Sequence, residues 1–374
     1  MTKEYYIGLM TGTSVDSLDA VLVQFDAQDQ PTIHNTHSIS LPKHVQQQVQ
    51  QLSSSGEGEI DLIRQLDNDI AHYSSEAVKA LCQQANILAS NITAIGSHGQ
   101  TVRHYPATKN TKGYSLQLGD PNIIAEATGI TTVADFRRRD IAAGGQGAPL
   151  VPAFHHSVFR SKQNDRLIVN LGGIANISYL PIDGKTVGYD TGPANTLMDA
   201  WCLQHKHQRF DKDGLWAKTG NYHKELLLNL LDDSYFSSSA PKSTGREYFN
   251  LSWLEQKISE QETSGTPPED VQATLLELTA KTVAQEINNV DPDNKSHIYI
   301  CGGGAHNAAL MERITSYIEP RSLATTANIG IEPDWVEATA FAWLAKQAMH
   351  KASGNLPAAT GANKEVILGG IYFS

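Results

Sequence analysis

Apolar and polar positions change period several times along the chain. Residues 5–10 form an apolar run, residues 11–14 a polar turn containing Gly12, and residues 18–25 a second apolar run. Two β-prone runs around a short polar turn predict a hairpin. Between residues 60 and 85 the apolar positions, among them Ile63, Leu66, Ile70 and Tyr73, recur at helical spacing and predict a helix. Residues 92–96 return to a strand and run into His98, Gly99, Gln100 and Thr101. A helix is predicted over 123–128 and a strand over 131–134. Residues 142–149 hold Gly144, Gly145 and Gly147 before Pro149, a composition that predicts an interdomain joint.

The pattern then starts again. Residues 166–171 are apolar and β-prone, Gly172 and Gly173 make a turn, and residues 174–180 return. A short strand ends at Asp190, and Thr191, Gly192 and Pro193 lead into a helix over 194–203. Residues 296–301 form another strand that meets Gly302, Gly303 and Gly304, with a helix over 308–314. Residues 335–349 carry Ala338, Phe341, Ala342 and Ala345 on one helical face. Each half therefore opens on a glycine-tipped hairpin and continues through mixed helices and strands.

At 374 residues the chain is longer than one core usually grows, so two domains are expected. Its net charge of −11 opposes non-specific binding to nucleic acid. An anionic ligand remains compatible with it, because oriented backbone dipoles hold phosphate locally. Cys82, Cys202 and Cys301 are widely spaced and suggest neither a disulfide framework nor a zinc cluster. Reduced cysteines, no secretory h-region after Met1 and no long apolar run lead us to expect a cytoplasmic chain without a membrane span.

Several segments carry candidate chemistry. In the first, Gly12, Thr13, Ser14, Val15, Asp16, Ser17, Leu18 and Asp19, backbone N–H groups and hydroxyls suit an anion, and Asp16 and Asp19 suit magnesium. An unliganded hairpin turn explains it as well. Gly172–Gly173 and Gly302–Gly304 with Asn307 are two further glycine turns; the latter sits between a strand and a helix, where N–H groups converge. None has the Walker spacing. Asp190, at a strand-to-helix junction, is placed either to accept a proton or to cap the helix. His98, Gln100, Thr101 and Arg137 form a polar cluster suited to a hydroxyl-rich ligand bearing a carboxylate, which arginine can grip bidentately. A solvated loop at residues 137–139 is the plain alternative. Glu337 opens a helix, a position that also serves the helix dipole.

Together these residues resemble the anhydro-N-acetylmuramic acid kinases. The segments that carry the resemblance are 8–19, 96–101, 134–137, 142–149, 170–176, 189–195, 243–250, 301–307 and 333–338, in order over nearly the whole chain. In that family the first loop usually reads Gly-Thr-Ser-Met-Asp-Gly-x-Asp; Val15 and Ser17 depart from it here. The resemblance implies an α/β fold of two RNase H-like domains, as in actin, Hsp70 and the sugar kinases, with ATP in the cleft between them. With the joint above, the domains are 1–140 and 141–374, the final helix and strand packing back on the first. It implies ATP-dependent phosphorylation of a small sugar, 1,6-anhydro-N-acetylmuramic acid, with water opening the anhydro ring. Asp190 would be the base. Gly12 to Asp19, Gly172 and Gly173 would hold phosphates with Mg2+, and Gly302, Gly303, Gly304 and Asn307 would flank the adenosine. His98, Gln100, Thr101, Arg137 and Glu337 would meet the sugar. A homodimer is left open. Another sugar or acyl kinase of this fold and an ATP-gated binding protein are the competing readings.

Overall fold

The computed structural model describes residues 4–12, 15–52, 56–107, 111–260 and 265–374. In chain order its strands are β1 Tyr5–Thr11, β2 Ser17–Phe25, β3 Pro31–Ser40, β4 Ile92–Ser97, β5 Gln100–Tyr105, β6 Tyr114–Leu118, β7 Thr132–Ala134, β8 Arg166–Leu171, β9 Ile174–Leu180, β10 Val187–Pro193, β11 His297–Cys301, β12 Leu323–Thr325 and β13 Gly370–Tyr372. Its helices are α1 Lys43–Gln51, α2 Glu59–Ala85, α3 Pro121–Thr128, α4 Phe136–Ala142, α5 Val151–Phe159, α6 Asn195–Lys206, α7 Lys224–Leu231, α8 Ser234–Ser237, α9 Leu251–Glu260, α10 Pro268–Val290, α11 Ala308–Ile318, α12 Val336–Met349 and α13 Pro357–Thr360. The chain divides into one unit of Met1–Phe159 with Trp335–Ser374 and a second of Arg160–Asp334.

The two units share one wiring. In the first, the sheet order is β13-β7-β4-β1-β2-β3, with β1–β2 and β2–β3 antiparallel and β1–β4 and β4–β7 parallel. In the second it is β10-β9-β8-β11-β12, with β8–β9 and β9–β10 antiparallel and β8–β11 and β11–β12 parallel. Strands β1, β2, β3, β4 and β7 therefore match β8, β9, β10, β11 and β12 in order and direction. This is the RNase H-like arrangement of the actin, Hsp70 and sugar kinase class, present twice, and β13 adds an edge strand to the first copy.

The first core gathers Ile7, Leu9, Leu22, Leu66, Ile70 and Ile95 between the sheet and α2. The second gathers Val169, Ile177, Leu197, Leu278 and Ile300 between its sheet and α6, α10 and α11. On the first sheet Gly8 and Gly96 are paired across β1 and β4. A Cβ on Gly8 would overlap the Ala338 carbonyl oxygen, and one on Gly96 that of Phe341. The two glycines let α12 lie with its backbone directly on the sheet.

The glycine-rich stretch expected to join the domains lies inside the first unit instead. The Asp140 carboxylate is fully buried and accepts the Gly147 N–H, Asn355 Nδ2 and Thr360 Oγ1, each at 2.8 Å. The Gln146 N–H donates to the Thr360 carbonyl and the Asn363 N–H to that of Ala143. So many fixed points prevent the stretch from acting as a joint. The division falls after Phe159 rather than at 140, because α5 packs on α12 through the rings of Phe154 and Trp343, 6.1 Å apart.

Candidate active site

In the second unit one rung of the sheet is polar. Cys301 of β11 pairs with Asn170 of β8, Asn170 with Asn176 of β9, and Asn176 with Asp190 of β10. Registered partners project to one face, and all four side chains are buried. Among the described residues Asn176 Oδ1 has no hydrogen-bond partner. An amide oxygen buried that way costs about 1–3 kcal/mol, a reason to look for a ligand or water beside it. Sequence reasoning assigned no role to Asn170 or Asn176. The signal was there, as two asparagines inside otherwise apolar strands.

Strand β10 runs past Asp190 to Pro193 and bulges between Asp190 and Gly192, which has φ 139°. Such a bulge re-aims the side chains beside it. The Asp190 N–H donates to the Lys242 carbonyl at 3.1 Å, and the Thr244 N–H donates to Asp190 Oδ2 at 3.0 Å. Helix α6 starts only at Asn195, its N-cap Ala194 supplies no side-chain bond, and Asp190 is not the cap.

The turn Gly172–Gly173 is tied to the start of α6. The Asn195 N–H donates to the Gly172 carbonyl at 3.1 Å, and the N–H groups of Ala194 and Thr196 donate to the Gly173 carbonyl at 2.9 and 3.0 Å. With the Gly172 carbonyl turned to the helix, the trans peptide points the Gly173 N–H the opposite way. In the third glycine turn, Gly302 has φ 78° and a Cβ there would overlap Asn170 Oδ1. A Cβ on Gly304 would come within 2.6 Å of that of Leu171, while Gly303 faces open space. Asn307 Oδ1 accepts the Leu310 N–H at 3.1 Å, so this side chain caps α11.

The first unit holds a separate polar cluster at the ends of β4 and β5. Arg137 donates from Nη2 to His98 Nε2 at 2.8 Å and from Nη1 to the Gly147 carbonyl at 2.9 Å. Its guanidinium thus braces the histidine to the glycine loop. Arginine only donates, so His98 carries its hydrogen on Nδ1. Burial and then Arg137 hold His98 neutral, well below its ordinary value, and the backbone of Gly99 and Thr11 offsets only part of this. Gln100 is buried, with Nε2 on the Thr101 carbonyl and Oε1 unpartnered among the described residues. Thr101 Oγ1 accepts Gln117 Nε2 at 3.0 Å. Glu337 lies in the first turn of α12, partly exposed.

Comparison with known proteins decides the family. The profile described as anhydro-N-acetylmuramic acid kinase matches residues 4–374. Proteins of that name from Shewanella denitrificans and Coxiella burnetii are 50% and 48% identical to this chain over 99% and 100% of its length, and 98% of each relative is covered. The chain belongs to the anhydro-N-acetylmuramic acid kinase family. It is therefore an enzyme, a phosphotransferase. Among solved structures, an activator of 2-hydroxyisocaproyl-CoA dehydratase from Clostridium difficile with bound ADPNP is 13% identical, with a TM-score of 0.46 over 93% of this chain and 98% of the other. A ROK family glucokinase from Streptomyces griseus, in complex with glucose and AMPPNP, is 14% identical with a TM-score of 0.37 over 92% and 99%.

As a member of the anhydro-N-acetylmuramic acid kinase family the chain keeps the first loop with two changes. Val15 is buried at φ 58°, a left-handed conformation that strains a β-branched residue. Ser17 opens β2 opposite Ser40. Leu18 is buried in the core, and Asp19 Oδ1 accepts Ser38 Oγ at 2.6 Å. Gly12 accepts the Val15 N–H at its carbonyl. Asp16 is partly exposed. Thr13 and Ser14 lie outside the described residues. No group of three or more His, Cys, Asp and Glu able to hold a metal occurs among the described residues, and among them no helix is long and apolar enough to cross a membrane.

One further carboxyl stands out in the segment that reaches Asp190. Burial pushes Glu247 from 4.5 up to about 7, with only its own backbone amide opposing. The folded chain then keeps a proton that the unfolded chain has lost, so this group's contribution is fully present below about 4.5 and falls as pH rises to about 7. Glu247→Gln is expected to melt above the parent at about pH 8 and together with it at about pH 4.5. A difference that does not change with pH in thermal unfolding would exclude Glu247 as the group responsible.

Proposed function

We propose that this phosphotransferase acts on 1,6-anhydro-N-acetylmuramic acid with ATP, opening the anhydro ring with water to give N-acetylmuramic acid 6-phosphate and ADP. The observation that carries the reading is Asp190. In a chain matching the family end to end, this buried carboxylate sits at a strand bulge and accepts a backbone N–H, a bond that favours its ionised, proton-accepting form.

In this reading Asp190 takes a proton from water as the water oxygen bonds to C1. The C1 bond to the bridging oxygen breaks, and that oxygen, O6, takes the γ-phosphoryl group while ADP leaves. Phosphoryl transfer needs positioning and charge stabilisation more than covalent help. In the second unit, the N–H groups at Gly172–Gly173 and the open side of Gly303 suit phosphate, with Asn307 beside the nucleotide. In the first unit, Gly12 to Asp19 are our other candidates for phosphate. Magnesium arriving with the triphosphate would screen its charge, and Asp16 and Asp19 fit it, since phosphate oxygens and water fill most of its shell. For the sugar, Gln100 Oε1, unpartnered among the described residues, offers an acceptor to a hydroxyl beside His98. Thr101, Arg137 and Glu337 complete our candidates.

The test is incubation with ATP, magnesium and the anhydro sugar in oxygen-18 water. The product is expected to gain one phosphate and one water, with the label at C1. A phosphorylated product without label at C1 would reject ring opening and leave an ordinary hydroxyl kinase.

A further inference from the structure

Behind Asp190 lies a buried ion pair to which the proposed reaction assigns no part. Lys242 Nζ meets Glu286 Oε1 of α10 at 3.0 Å, with side chains only 6% and 12% exposed. The other oxygen of Glu286 accepts the Tyr189 hydroxyl at 3.0 Å and Asn289 Nδ2 at 3.2 Å. The ammonium lies 5.1 Å from the centre of the Tyr235 ring and 5.8 Å from that of Tyr189. Tyr235 in turn donates its hydroxyl to the Asp190 carbonyl at 2.8 Å.

These contacts converge on a strap. From Ser237 to Tyr248 every residue is exposed or partly exposed except Lys242. The same short segment supplies two of the bonds that fix Asp190: the Lys242 carbonyl takes its N–H, and the Thr244 N–H holds its carboxylate. A strap with one buried anchor keeps its register only while that anchor holds. The anchor is an ion pair, although a buried pair often stabilises no more than apolar residues of the same volume. What the pair adds over apolar packing is direction, because an ammonium clamped between a carboxylate and two rings has one seat.

We propose that Lys242 and Glu286 are positioning residues for the Asp190 carboxylate, acting through the backbone of residues 242–244. The inference rests on the reading of Asp190 as the base. Without the anchor the strap lifts and the Thr244 N–H leaves Asp190 Oδ2. The carboxylate then loses both its aim and a donor that favours its ionised form. Tyr189, Tyr235, Glu286 and Lys242 are the titratable groups gathered around it here, and the carboxylates of Asp190 and Glu286 add to burial in pushing the Tyr235 hydroxyl up.

Lys242→Met tests this, with Thr244→Pro as a second variant that deletes the N–H and leaves the ion pair alone. Both are expected to lower kcat about tenfold or more, to change KM for ATP little, and to move the acid limb of the kcat–pH profile upward. Lys242→Arg, which keeps the charge, is expected to recover part of the rate. Variants that melt earlier but keep the parental kcat and acid limb overturn the proposal. If Lys242→Met does not fold, the acid limb of Thr244→Pro decides alone. Asp190→Asn, measured alongside, separates the two ideas. If it is active, the base assignment fails. If it is inactive while Lys242→Met and Thr244→Pro behave like the parent, only the positioning role fails.

Discussion

Asp190→Asn is expected to lower kcat by about two to four orders of magnitude while ATP binding and thermal stability stay near those of the parent. Asparagine keeps the shape of the side chain, and its amide oxygen can still accept the Thr244 N–H. It cannot accept a proton from water. The residue is 5% exposed, so bulk solvent has little access to replace it as base. Steady-state ADP release and calorimetric titration of a nucleotide analogue check the two halves of the statement. Turnover within about tenfold of the parent would remove Asp190 from the mechanism.

Gly96→Ala is expected to cost the first unit about 3 kcal/mol or more, roughly 6–12 °C in melting temperature for a unit of this size. The new methyl group would overlap the Phe341 carbonyl oxygen, and a helix backbone cannot rotate aside as a side chain does. Relief requires lifting α12, which buries Phe341, Ala342, Trp343, Leu344 and Ala345 against the first unit. Gly8→Ala meets the Ala338 carbonyl in the same way and is expected to behave alike. A Gly96→Ala variant that unfolds together with the parent in a calorimetric scan would mean that the helix does not lie on the strands as described.

What the sequence made legible was whatever had a contiguous apolar signal. Strands β1, β2, β8, β9 and β11 stood out as apolar runs, and the two glycine-tipped hairpins already suggested repetition. Strand β3 was hidden, because Pro31–Ser40 alternates partly buried with exposed residues at the sheet edge and has no apolar run. Helix α10 was hidden for the opposite reason. It buries Gln272, Thr274, Glu277, Thr279, Thr282 and Glu286 along with its apolar residues, which blurs any stripe. The glycine-rich loop at 142–149 looked like a joint because glycine signals freedom locally, and nothing local shows a distant Thr360 or Asn355 closing on Asp140. For the site, the motifs were readable but their use was not. Asp190 could have been a cap until its place in β10, clear of α6, was known. Arg137 read as a carboxylate grip, and its bonds to His98 and the Gly147 carbonyl had no signal in the sequence. Lys242 drew no reading from the sequence, since only tertiary structure brings Glu286 to it.

The placement of Trp335–Ser374 in the first unit has a consequence for biosynthesis. As the polypeptide leaves the ribosome, β1, β2, β3, β4 and β7 emerge before the second unit, but the helix that covers Gly8 and Gly96 and the edge strand β13 are made after it. Arg160–Asp334, one contiguous stretch, has its whole sheet once β12 is out. The usual order, in which the earlier portion matures first, is therefore reversed: Arg160–Asp334 can finish first, and β1, β2, β3, β4 and β7 wait, one face bare, until α12 has been made.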